Sequence, residues 1–196
     1  MAQKDWSGNS VAFSKTLGAT NHSTRKRPKN DYYATEPKAV RLLMDIEKFD
    51  GAIWECACGE GHLSKELIRL GYKVKSTDLI DRGYGERLDF LKVKGKTSLN
   101  IITNPPYKYA NEFLIKALEV VEVGKKIAFL LPIRYLEGQA RKEIFKQHPP
   151  KTVHISSSRL QCSLNAKFDG IGSAMAYAWF VWQKGFKGSP TIKWFN

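Results

Sequence analysis

Between Asp31 and Asn196, short apolar runs alternate with segments of helical period, and this alternation restricts the fold more than any other feature. Strand-length runs occur at AIWECA (52–57), YKVKSTD (72–78), LNIIT (99–103), KIAFLLP (126–132) and TVHIS (152–156). Helical spacing fills GHLSKELIRLG (61–71), ANEFLIKALEVV (110–121) and LEGQARKEIFKQH (136–148). A further helix, EPKAVRLLMDIEKF (36–49), precedes them, with Pro37 near its first turn, where a missing N–H costs little. Such alternation predicts an α/β fold: a mostly parallel sheet covered by helices on both faces, with ligands at the carboxyl ends of the strands. The last two runs, AMAYAWFVWQKG (174–185) and TIKWFN (191–196), read as a hairpin joined through KGFKGSP, which adds antiparallel strands. No internal repeat is present.

The chain has 196 residues, the size of one domain, and its 42% hydrophobic content suffices for a core. No window reaches the ~18 apolar residues of a membrane span, and the N-terminus lacks the apolar stretch of a secretory signal. Three cysteines, two of them one residue apart, fit a reducing cytoplasm better than a disulfide framework. The net charge of +13 is unevenly placed. Residues 1–30 carry six Lys/Arg against Asp5, a net +5, and read as a mobile basic arm. Residues 31–124 carry 14 basic and 15 acidic residues, whereas 125–196 carry 12 basic and three acidic, a net +9. A neutral middle between cationic ends suits a small-molecule site flanked by surfaces that meet a polyanion. A solubilising charge excess gives the same balance.

The segment WECACGEGH follows the first strand and opens the next helix. Gly59 and Gly61 allow a tight turn and close ligand approach, and the helix start offers unpaired N–H groups. Asp78 ends the second strand 17 residues after Gly61, where such folds hydrogen-bond ribose hydroxyls. Asp89 sits after the next loop, placed to accept from an adenine amino group. The third glycine of a dinucleotide fingerprint is missing, and Glu55 would repel a pyrophosphate. A cofactor with a ribose and a cationic centre but no phosphate fits better, and S-adenosylmethionine has these properties. Glu55 can face its amino group or sulfonium, or can pair with a lysine instead. Cys56 and Cys58 lack the spacing of a zinc site, so they read as small core residues and no metal is expected.

The run LNIIT stops at Asn104-Pro105-Pro106-Tyr107, at a predicted strand end beside the cofactor turn. An exocyclic amine on a nucleobase is a poor nucleophile because its lone pair is delocalised into the ring. Two acceptors aimed at its N–H groups localise that pair. The Asn104 side-chain oxygen supplies one, and the Pro105 carbonyl, held by two locked φ angles, supplies the other. Tyr107 offers a face on which a flipped base can stack. Catalysis would then be positioning and charge complementarity.

Asn104-Pro105-Pro106-Tyr107 resembles the catalytic motif of amino-group methyltransferases, especially DNA adenine-N6 methyltransferases of the small phage and prophage type. Glu55-Cys56-Ala57-Cys58-Gly59-Glu60-Gly61 is similar to their S-adenosylmethionine motif, with Glu where many members have Asp. The segment DYYATEP, from Asp31 to Pro37, resembles the upstream stretch that closes over the methionine end of the cofactor, with an extra residue before the proline. The resemblance runs from about Asp31 to the C-terminus. It implies a Rossmann-like class I methyltransferase fold with a mostly parallel seven-stranded sheet. It also implies cofactor contacts from Tyr32, Tyr33, Thr35, Glu55, Ala57, Gly59, Gly61, Asp78, Leu79, Asp89, Phe90 and Asn104. Many such enzymes devote ~80 or more residues to reading sequence, and no such insert fits in 31–196. Loose or very short sequence preference is therefore expected, with salt-sensitive affinity from phosphate contacts.

SSSRLQCSLNAKFDGIG (156–172) reads as a mobile loop near the strand ends. Phe168 can stack on the base opposite Tyr107 or anchor the loop on the core. Arg134, Arg141, Arg159 and Lys167 are candidate phosphate contacts. Trp179, Phe180 and Trp182 read as core packing, and His154 as a satisfied core residue. The expected function is methyl transfer to the N6 amine of adenine in DNA by base flipping. The same chemistry on RNA or on a protein glutamine amide is an alternative, as is an inactive nucleic-acid-binding module.

Overall fold

The computed structural model describes residues 33–160, 162–164 and 175–196, with the backbone alone at 163 and 164. The N-terminal arm and three site candidates, Tyr32, Lys167 and Phe168, lie outside the described residues. In chain order the elements are β1 (Tyr33–Thr35), α1 (Pro37–Ile46), β2 (Ile53–Glu55), α2 (His62–Arg69), β3 (Val74–Asp78), β4 (Glu86–Arg87) and β5 (Asn100–Thr103). Then come α3 (Ala110–Val120), β6 (Lys126–Pro132), α4 (Gln139–Gln147), β7 (Thr152–Ser156), β8 (Cys162–Leu164), β9 (Tyr177–Gln183) and β10 (Thr191–Phe195). Eight strands form one sheet in the order β10-β7-β9-β6-β5-β2-β3-β4, and β1 pairs with β8 in a separate antiparallel ribbon.

All strands of the large sheet run parallel except β9, which is antiparallel to both β6 and β7. The sheet has eight strands where seven were expected, because the two-residue β4 joins as an edge strand beside β3. The C-terminal reversal is present, but its arms are not neighbours: β7 lies between β9 and β10. Burial explains the arrangement. Tyr177 to Trp182 are all buried, so β9 needs cover on both faces and takes a central position, whereas β10 is exposed except at Phe195 and takes the edge.

Two apolar layers sandwich the sheet. On one side Ala39, Val40 and Leu43 of α1 and Leu63 and Leu67 of α2 pack against Ile53, Ile102, Leu130, Trp179 and Val181. On the other, Leu114 and Ala117 of α3 pack against Trp54, Ile101, Ile127, Phe129, Phe180 and Trp182. Each large side chain taken out of water contributes about 1.5–3 kcal/mol. The α4 helix buries no residue fully and touches this layer through Ile144 and Phe145. Trp179 and Trp182 are core residues as expected, and their indole N–H groups donate to the carbonyls of Ala39 (2.9 Å) and His148 (3.1 Å). His154 is also satisfied in the interior, 3.0 Å from Glu47, which Lys126 bonds at 2.8 Å. Burial alone would raise the Glu47 carboxyl, but the bonds from His154 and Lys126 outweigh it and bring it down to about 2.

Candidate active site

Chain order reverses between β2 and β5, and their carboxyl ends are where a sheet of this kind forms its binding crevice. The glycine turn after β2 and the Asn-Pro-Pro-Tyr turn after β5 border it. Gly59 (φ 55°) and Gly61 (φ 80°) both adopt the left-handed conformation that side chains disfavour. A Cβ on Gly61 would collide with the ring of Tyr84, which packs onto the turn. Lys65 Nζ lies 4.9 Å from the centroid of that ring and donates to the Glu60 carbonyl.

The Asp78 carboxylate ties the turn to β3. One oxygen accepts the Gly59 N–H at 2.8 Å and the other the Ile80 N–H at 2.9 Å, and each keeps a further lone pair. Leu79, 57% exposed, stands next to it. Asp89 caps a short 3-10 turn by accepting the Leu91 N–H at 3.1 Å, and pairs with Lys92 at 3.2 Å. Phe90 is a core residue: its ring meets Trp54 edge-on at 5.3 Å and Phe113 at 5.2 Å, leaving only its backbone toward a ligand. Ala57 is half-buried against the same layer.

Glu55 points inward. Its carboxylate accepts the Ser64 hydroxyl, which lies 2.6 Å from Ser76 Oγ, and the residue is only 3% exposed. Burial raises its carboxyl to about 8, against the lowering effect of the Ser64 bond. Burial likewise pushes the Cys58 thiol up to about 12. All three cysteines are free and buried, and no cluster of metal-ligating side chains occurs among the described residues.

Asn104 lies just beyond β5. Its Nδ2 donates to the Tyr33 carbonyl at 3.0 Å and to Thr35 Oγ1 at 3.1 Å, with Cys162 Sγ at 3.9 Å. A carbonyl cannot donate, so the amide nitrogen must face β1 and the oxygen must face away. That oxygen is buried and meets no donor among the described residues. The Pro106 carbonyl accepts the Tyr109 N–H at 2.8 Å, and the turn closes into a short 3-10 helix leading to α3. The Tyr107 ring lies between Tyr33 (6.0 Å, 21° between planes) and Tyr177 (6.1 Å, 38°). Burial pushes its hydroxyl well above the ordinary tyrosine range.

The fold thus gathers Tyr33, Thr35, Asn104, Pro105, Pro106 and Tyr107 into one cluster and Gly59, Gly61, Asp78 and Leu79 into its neighbour. Arg134, on the turn after β6, and Arg159, after β7, are exposed at the same end of the sheet. Sequence reasoning missed Ser64, Ser76, Tyr84, Cys162 and Tyr177. Of these, only the glycines flanking Tyr84 carried a local signal, since Gly83 and Gly85 mark a turn. A surface cavity of about 590 Å³ lies apart from these turns, beside α4 between Leu136 and Lys146. No helix among the described residues is long and apolar enough to cross a membrane.

No protein-family model matches the chain, and no curated protein matches it. Solved structures do. A modification subunit assigned to a type I restriction enzyme of Vibrio vulnificus YJ016 aligns with a TM-score of 0.56 at 12% identity, over 86% of this chain and 48% of that one. A protein described as a class I S-adenosylmethionine-dependent methyltransferase from Listeria monocytogenes gives 0.55 at 11% identity, over 93% and 71%. The type IIG restriction endonuclease BpuSI gives 0.52 at 16% identity, over 89% and 28%. The chain spans about half the length of the first and under a third of the last. These likenesses join the strand order and the β9 reversal in one result: the chain has the Rossmann-like fold of class I methyltransferases.

Proposed function

We propose that this chain transfers a methyl group from S-adenosylmethionine to the N6 amine of adenine in DNA, on a base flipped out of the stack and with short sequence preference. The buried, unpartnered Asn104 Oδ1 carries this reading. An acceptor left without a donor inside a protein costs about 1–3 kcal/mol, a cost that persists where a ligand supplies the partner. An amine N–H is such a partner. The Pro105 carbonyl serves as the second acceptor, and gripping both N–H groups concentrates the nitrogen lone pair on the side facing the crevice. Tyr107 supplies a planar surface for the base once the Tyr33 ring swings aside, its backbone carbonyl staying on Asn104.

The cofactor turn suits a nucleoside without phosphate, because Asp78 and Asp89 are acidic and the glycine backbone leaves no side chain in the way. Asp78 would hold the ribose, Asp89 the adenine amine, and Leu79 a face of the ring. When bound, S-adenosylmethionine supplies an electrophilic methyl carbon and departs as S-adenosylhomocysteine. The residues around Asn104 hold the amine in line and shed its proton to solvent, so no strong base is required. DNA as the acceptor is supported by the net charge of +13, by exposed Arg134 and Arg159 beside the crevice, and by the restriction-modification proteins among the structural neighbours.

Asn104→Ala tests the reading. It is expected to lower turnover by at least about 100-fold while calorimetry finds cofactor affinity within a few-fold of wild type. A fully active variant would remove Asn104 from the chemistry.

A further inference from the structure

Two short strands that no sequence run announced cover Asn104. In the β1–β8 ribbon, Thr35 stands opposite Cys162, and both side chains reach the same amide. Thr35 is 3% exposed and is followed at once by α1, whose Ala39, Val40 and Leu43 are fully buried. The ribbon is therefore anchored in the core next to the chemistry.

The terminal torsion of an asparagine is broad and roughly two-fold, so one hydrogen bond leaves the amide free to swing about it. Here Asn104 Nδ2 donates to the Tyr33 carbonyl at 3.0 Å and to Thr35 Oγ1 at 3.1 Å, with Cys162 Sγ a longer third partner at 3.9 Å. The first bond decides which end of the amide faces β1. The second fixes the plane, and with it the direction of Oδ1.

We propose that Thr35 is a positioning residue for Asn104: with the Tyr33 carbonyl it locks the amide so that Oδ1 aims at the target amine. Thr35 thereby acts on the acceptor side of the reaction rather than as the cofactor contact that sequence resemblance implies. The assignment rests on the methyl-transfer reading above. It makes the aim of Asn104 contingent on a closed ribbon, since opening β1 withdraws both bonds together.

The test compares Thr35→Val, which keeps shape and removes the hydroxyl, with Thr35→Ser, which keeps the hydroxyl. In methyl-transfer assays on duplex DNA, Thr35→Val is expected to lower kcat about 10- to 100-fold, since misplacing a catalytic group by about 1 Å has that effect. Its KM for the cofactor and its calorimetric cofactor affinity stay within about two-fold, and Thr35→Ser recovers most of kcat. A second readout needs no turnover. In ¹⁵N-labelled protein the Asn104 side-chain NH2 exchanges slowly with solvent in wild type and faster in Thr35→Val.

If Thr35→Val weakens cofactor binding by about ten-fold with kcat intact, or if all variants match wild type in both readouts, the proposal is overturned. Should wild type methylate no acceptor at all, the functional reading fails alone, and the exchange experiment still decides whether Thr35 holds the amide. A Thr35→Val protein that does not fold leaves the decision to Thr35→Ala in the same exchange measurement.

Discussion

Asn100 and Asn104 stand at opposite ends of the region around β5, and the contrast between them separates structure from chemistry. Asn100 is 2% exposed and satisfied at both ends, donating to the Asp50 carbonyl at 2.8 Å and accepting the Lys126 N–H at 2.9 Å. Among the described residues, Asn104 is satisfied only through its nitrogen. Asn100→Ala should therefore cost about 2–3 kcal/mol in urea unfolding, and Asn104→Ala about 1 kcal/mol or less, although only the second is proposed to abolish turnover. The reverse ranking would make Asn104 the structural amide. The sequence marked Asn104 through the prolines that follow it, which fix a turn where a strand would otherwise run on. It could not reveal that Thr35 and Cys162 meet there, because contacts across more than 50 residues leave no local trace.

Glu55 makes a second prediction at this scale. Its carboxyl rises on folding from an ordinary 4.5 to about 8, so between those values the folded chain holds a proton that the unfolded chain has released. This contribution to stability is complete below about pH 4.5 and drains away as pH rises toward 8. Thermal melts across this range should show wild type losing ground to Glu55→Gln as pH increases, and parallel curves would contradict the buried, uncharged state. The glutamate was legible as a strand-end acid. Its inward turn was not, because Ser64, which donates to it, and Ser76, which bonds Ser64, lie on α2 and β3.

At the scale of elements, every α-helix and every strand of four or more residues was legible, because long apolar runs and helical periods report burial directly. The strands KIAFLLP and TVHIS have the residue bounds expected from the sequence. The misses are β1, β4 and β8, each of two or three residues, too short for a period to register. Adjacency was also misread: β9 and β10 are consecutive in chain but separated by β7, since a tight connection shows that the chain reverses without saying which strand it lands beside. The glycine turn was visible, whereas its cover was not. Tyr84, carried on the loop between β3 and β4, closes over Gly61 and leaves no room for a side chain. Gly61→Ala should thus combine backbone strain with displacement of Tyr84. Calorimetry is expected to find cofactor affinity reduced about ten-fold or more, and unchanged affinity would detach this turn from the cofactor.

For the whole molecule, the parallel sheet and its switch point bring together two turns that lie more than 40 residues apart in sequence. The net charge of +13 lies outside residues 31–124, which carry 14 basic and 15 acidic side chains. The proposed chemistry requires Asn104 and Pro105 to grip an adenine amine. The most direct measurement incubates the protein with S-adenosylmethionine labelled in its methyl group, together with DNA, RNA and protein acceptors, and digests whichever becomes labelled. Label is expected in DNA, released as N6-methyladenine and lost in Asn104→Ala. Label on a glutamine amide, on RNA alone or on another DNA base, or its persistence in the variant, would contradict it.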